Sequence, residues 1–157
     1  MELKDTYDIP VPVETVWAAL NDTEILAATI PGCQELTRDS DTALSAKVKL
    51  KIGPVSALFS GNVTLSDLQP PHAYTISGKG SGGVAGGATG SAKVTLSPID
   101  DGAGTRLSYD VTAAVTGKIA QLGARLIDST SKKLAGQFFA AFAKHFEAES
   151  QDESSIT

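Results

Sequence analysis

Cysteine occurs once in this sequence, at Cys33, so the chain can form no internal disulfide and no thiolate metal cluster. That economy fits a reducing compartment. Histidine is also scarce: His72 lies in a proline turn and His145 near the end of a helical pattern. Neither has metal-ligand spacing to another donor, and neither sits beside Cys33 as a nucleophile–base pair would require. No apolar run approaches the ~20 residues of a membrane span. The opening Met-Glu-Leu-Lys-Asp-Thr has no apolar core of a signal peptide. These absences make a soluble, cytoplasmic protein the expectation.

A basic excess is missing too. The net charge is −5, from 13 Lys+Arg and 18 Asp+Glu. Glu147, Glu149, Asp152 and Glu153 account for most of it, and without them the body is nearly neutral. Nucleic-acid binding and attraction to anionic membrane both lose their usual electrostatic basis. Nucleotide motifs fare no better. Gly78-Lys79-Gly80-Ser81-Gly82-Gly83 matches G-x-G-x-x-G, but Val-Ala-Gly-Gly-Ala-Thr-Gly follows where a helix is required.

What the sequence does contain is a stretch from Lys118 to Glu147 without proline, in which Ile119, Leu122, Leu126, Leu134, Phe138, Phe142 and Phe146 recur at helical spacing. As one helix it would span roughly 45 Å, and its apolar side must be buried against something large. The rest of the chain reads mostly with period two. Leu3, Tyr7 and Ile9 make a first strand, with Asp5 as the odd member of its apolar side. Pro10 and Pro12 lead into a short helix through Val13, Val16, Trp17 and Leu20, and Asn21 or Asp22 caps a second. Six strands follow in a meander, separated by turns at Asp39–Asp41, Gly53-Pro54, Gln69–His72, Ser81–Gly87 and Asp100–Gly104. Lys47, Lys49 and Lys51 alternate with the apolar residues of one strand and read as its solvated face.

The expected fold is α+β: a helix-grip domain over 1–147, in which a curved seven-stranded antiparallel sheet wraps around one long C-terminal helix. Two short helices sit between strands 1 and 2. Residues 148–157 read as a short, disordered acidic tail.

The inward positions are unusually small: Ala46, Ala57, Gly61, Gly78, Gly80, Gly90, Ala92 and Ala113. Interiors pack densely, so such a face means either close helix approach or a cavity. The first half of the helix brings Ala120, Gly123 and Ala124, whereas the phenylalanines lie in the second half. An apolar cavity is therefore expected near the helix start, lined by Ala46, Val48, Ala57, Phe59, Gly78, Gly80, Ala92, Val94, Tyr109, Val111, Ile119, Leu122, Gly123 and Leu126. Its mouth is expected at Gly53, Pro54, Gly82, Gly83 and Gly117. Glycine serving only sheet curvature and close packing is the competing reading. Tyr109 faces inward, to orient a polar head group or to bond to backbone. An enzyme would need an inward acid or base; Asp5 and Tyr109 are the candidates, and neither has a visible partner.

Val-Trp-Ala-Ala-Leu-Asn-Asp-Thr-Glu-Ile-Leu (16–26), Ile-Pro-Gly-Cys (30–33), Gly-Ser-Gly-Gly (80–83) and Gln-Leu-Gly-Ala-Arg-Leu-Ile-Asp (121–128) resemble the family of the carbon monoxide dehydrogenase G subunit. So do Leu-Ser-Asp-Leu-Gln-Pro-Pro-His-Ala-Tyr (65–74) and Lys-Lys-Leu-Ala-Gly-Gln-Phe-Phe (132–139). The resemblance spans residues 1–147 and implies membership of the START and polyketide-cyclase-like helix-grip superfamily. It implies a non-catalytic accessory role beside a carbon monoxide dehydrogenase-like molybdenum hydroxylase, with a lipid or isoprenoid quinone as ligand and no cofactor. Assembly or membrane recruitment of that enzyme, without a ligand, is the alternative it implies, and a cyclase- or hydrolase-type enzyme a further one. Membrane contact is left open, though not through a span or a basic patch.

Overall fold

In the computed structural model the backbone is described for residues 1–156 and the side chains for residues 1–147. Strand β1 (Glu2–Ile9) buries Leu3 and Ile9 on one face. Pro12, which has no amide hydrogen to leave unpaired, caps helix α1 (Val13–Leu20). Val13, Val16, Ala19 and Leu20 form the buried stripe of that helix. Helix α2 (Thr23–Thr29) begins at Asp22, whose carboxylate accepts hydrogen bonds from the Glu24 and Ile25 amides at 2.9 and 3.3 Å.

The meander then runs through β2 (Cys33–Ser40), β3 (Ala43–Ile52), β4 (Val55–Gln69), β5 (Ala73–Ser81), β6 (Gly87–Ile99) and β7 (Gly104–Val115). With β1 it forms one antiparallel sheet in the order β1-β7-β6-β5-β4-β3-β2. The chain ends in helices α3 (Gly117–Gln121) and α4 (Ala124–Ile156).

The structure corrects two expectations. The C-terminal helix is not continuous. Gly123 adopts φ +90, a left-handed conformation that side-chain-bearing residues rarely take, and it separates α3 from α4. The Leu122 amide still donates to the Ile119 carbonyl at 3.1 Å, and α4 begins with the Ile127 amide donating to the Gly123 carbonyl at 3.2 Å.

The sheet, moreover, is not strongly curled and does not wrap around the helix. It is open, with β1 and β2 at opposite edges and α4 lying across one face. Strong curvature is built from bulges within strands. Here the β1–β7, β3–β4, β5–β6 and β6–β7 ladders keep unbroken register, and shifts occur only toward the ends of β2 and β4. The glycines of the sheet interior do not bend it into a barrel.

The densest core lies where α1 and the second half of α4 meet the sheet. Phe142, Val16, Leu107 and Thr105 are fully buried there. The Thr105 hydroxyl donates to the Val11 carbonyl at 2.8 Å, which satisfies an otherwise costly buried polar group. Along α4, Phe138 stacks on Phe142, and Phe142 meets Phe146 edge-on. The acidic tail expected over 148–157 falls outside the residues whose side chains are described.

Candidate functional site

The inner face of the sheet becomes almost bare of side chains in its middle. Register places Ala46 opposite Gly61, Gly61 opposite Gly80, and Gly80 opposite Ala88. One pleat further on, Val63 faces Gly78, Gly78 faces Gly90, and Gly90 faces Ala113. Two neighbouring rows of glycine and alanine thus cross the sheet where side chains would normally meet the helix. Above them is a cavity of about 560 Å³, within the usual size range of small-molecule sites.

Each wall comes from a different element. β3 and β4 supply Ala46, Val48, Leu50, Ile52, Phe59 and Val63, and β5 to β7 supply Ile76, Ala92, Val111, Ala113 and Val115 beside the glycine floor. Ile119 of α3 and Ile127, Thr130, Ser131 and Leu134 of α4 form the roof, and Ile30 and Pro31 after α2 close one side. No carboxylate, imidazole or thiol lines the cavity among the described residues. The hydroxyls of Thr130 and Ser131 are the polar side chains on the roof, and Ser131 Oγ donates to Met1 Sδ at 3.2 Å. Such a space can hold an apolar molecule and exclude water from it; Lys79 and Met1, whose amino group donates to the Ala113 carbonyl at 2.8 Å, are the lining residues that carry an amino group.

Of the residues expected to line a cavity, Ala46, Val48, Phe59, Gly78, Gly80, Ala92, Val111 and Ile119 stand on its wall. The others stand elsewhere. Val94 is buried in the main core. Ala57 is half-buried opposite Leu50, clear of the cavity. Leu122 is half-buried at the helix break, and a Cβ on Gly123 would meet nothing within 4 Å. Leu126 turns to the β3–β4 turn, where its Cδ2 would lie 2.7 Å from a Cβ on Gly53.

Tyr109 packs in an aromatic layer, its ring 6.2 Å from that of Tyr7 and 5.7 Å from that of Phe139. Burial first, then neighbouring Tyr7 and Asp5, pushes its phenol up to about 12. Asp5 is exposed and accepts a hydrogen bond from the Thr6 amide at 2.8 Å. Neither Tyr109 nor Asp5 reaches the cavity.

None of Gly53, Pro54, Gly82, Gly83 and Gly117 lines the cavity. Gly117 instead packs on Gly86, where a Cβ would come within 2.6 Å of the facing Cα. The Thr116 amide donates to the Gly87 carbonyl at 2.8 Å, so α3 and the β5–β6 turn are tied together. Ala85 and Ile119 are buried at this junction. Gly53 borders a neighbouring depression that shares Pro31, Leu50, Thr130 and Leu134 with the cavity wall.

Sequence reasoning missed Pro31 and Ile30, because nothing local announces that the link after α2 folds against the helix. Leu50, Ile52, Val63, Ile76 and Val115 were recoverable from the same alternation that gave Ala46. Thr130 was hidden by its polarity, and so was Ser131.

The family model for the carbon monoxide dehydrogenase G subunit (CoxG) matches residues 6–146. The chain belongs to this family. CoxG proteins are non-catalytic accessory proteins. A conserved protein from Geobacillus kaustophilus is 28% identical, with a TM-score of 0.88 over 94% of this chain and 96% of that one. The ZhuI aromatase/cyclase from Streptomyces sp. R1128 shares the fold at 11% identity and a TM-score of 0.68, over 94% and 93% of the two chains. A START superfamily protein from Mycobacterium smegmatis does so at 17% identity and 0.62, over 96% and 97%. No curated protein matches the sequence. These likenesses show that the chain has the START-like, helix-grip fold. Among the described residues of this CoxG-family protein, no helix is long and apolar enough to cross a membrane, and no group of metal-ligating side chains occurs.

Proposed function

We propose that this CoxG-family protein holds a hydrophobic molecule, a lipid or an isoprenoid quinone, between its sheet and α4. It does so as an accessory protein of a carbon monoxide dehydrogenase-like molybdenum hydroxylase. One observation carries the reading: a 560 Å³ space roofed by Ile119, Ile127 and Leu134 over a floor of glycine and alanine. A folded interior loses dispersion and hydrophobic energy wherever it is left unfilled. A floor of Gly61, Gly78, Gly80 and Gly90 is costly unless something else fills the space. Family membership supplies the enzyme class, and the apolar wall supplies the ligand class.

Purified protein, extracted with organic solvent and analysed by mass spectrometry, should release one apolar ligand per chain. Hydroxylase subunits should co-purify with it. Repeated recovery of an empty protein that still captures the hydroxylase would replace this reading with an assembly or recruitment role.

A further inference from the structure

We propose that Ser131 selects what the cavity accepts: an apolar molecule bearing a carbonyl oxygen, to which the Ser131 hydroxyl donates. The proposal rests on the ligand reading above and names the polar group that such a ligand carries. Ser129, Thr130 and Ser131 follow one another in α4, and the two serines behave differently. Ser129 is exposed, and its Oγ donates to the Leu126 carbonyl at 3.1 Å, within its own helix. Such back-bonding is the common recourse of a helical serine. Ser131 is half-buried on the cavity roof, and its hydroxyl leaves the helix. It donates to Met1 Sδ at 3.2 Å, the side chain of a second residue that lines the cavity.

A thioether is a weak acceptor, so a carbonyl oxygen entering the cavity offers this hydroxyl a better partner. Methionine is also flexible and adaptable, so Met1 can give way to the newcomer. Ile127 and Leu134 lie one turn before and one turn after Ser131, and both line the cavity. The donor is thus set among apolar side chains, where a hydrogen bond is electrostatically stronger than in water. Other polar lining residues do not compete for the ligand oxygen. Asn62, Lys79, Thr89 and Ser91 alternate along their strands with the glycines of the floor, so their side chains leave on the other face of the sheet. The Met1 amino group is engaged by the Ala113 carbonyl at 2.8 Å.

Benzophenone and diphenylmethane, which differ by one carbonyl group, test it. Both should bind the unaltered protein in a calorimetric titration. Ser131→Ala should weaken benzophenone about tenfold and change diphenylmethane by less than about twofold, as the loss of one hydrogen bond requires. Ser129→Ala, outside the cavity, should leave both affinities unchanged. The infrared carbonyl stretch of bound benzophenone should lie below its position in hexane, and Ser131→Ala should return it there. A stretch at the hexane position in the unaltered protein, or a shift that survives Ser131→Ala, overturns the proposal and leaves the ligand reading standing. Equal loss of both probes in Ser131→Ala marks a purely structural residue and overturns it as well. A protein that takes up neither probe overturns both readings.

Discussion

At the scale of single residues, three positions separate strain, space and charge. Gly123 sits at φ +90 with nothing within 4 Å of a would-be Cβ, so Gly123→Ala isolates backbone strain. Thermal unfolding should show a loss of about 1–3 kcal/mol. Ala46 and Ala92 are the opposite case, since their Cβ atoms stand on the cavity wall and have room ahead of them. Replacing both with leucine should occupy the space and raise stability by roughly 1–2 kcal/mol per site through added apolar burial. Tyr74 tests charge. It is buried edge-on to Trp17, and burial pushes its phenol from 10.0 up to about 12. The folded state therefore keeps the proton after the unfolded chain has lost it. Stability should be unaffected by Tyr74 below pH 10 and should fall as pH rises from about 10 to 12. A series of melting temperatures across that interval should be flatter for Tyr74→Phe. Tyr109, raised in the same direction, keeps the slope from vanishing.

Among the elements, α4 divides into a packed half and a roofing half. Phe142 is wholly buried, so Phe142→Ala should cost about 3–5 kcal/mol in a denaturant titration. Leu134 is only half-buried and faces the cavity, so Leu134→Ala should cost nearer ~1 kcal/mol. Equal losses would refute the division. The phenylalanine spacing made this half-and-half character legible from sequence, and strict alternation did the same for the strands. The break at Gly123 was not legible, because an isolated glycine in a helical pattern is tolerated far more often than it ends a helix. Sheet curvature escaped for a related reason. Gly61, Gly78 and Gly90 could equally mark bends or a bare floor, and only an unbroken register decides between them. Tyr109 faced inward as expected, yet Phe139 and Tyr7 cover it, a contact between elements that no spacing along the chain encodes.

For the whole molecule, the sheet's bare middle and the broken helix combine to leave a hollow. That property belongs to no one segment. The central claim is that the hollow is a ligand site. Native mass spectrometry of the unaltered protein beside A46L/A92L tests it most directly. The account predicts one apolar molecule retained per chain in the former and none in the latter, with both proteins folded. An unaltered chain that remains empty when incubated with membrane lipid extract would contradict it, as would undiminished ligand in the filled variant.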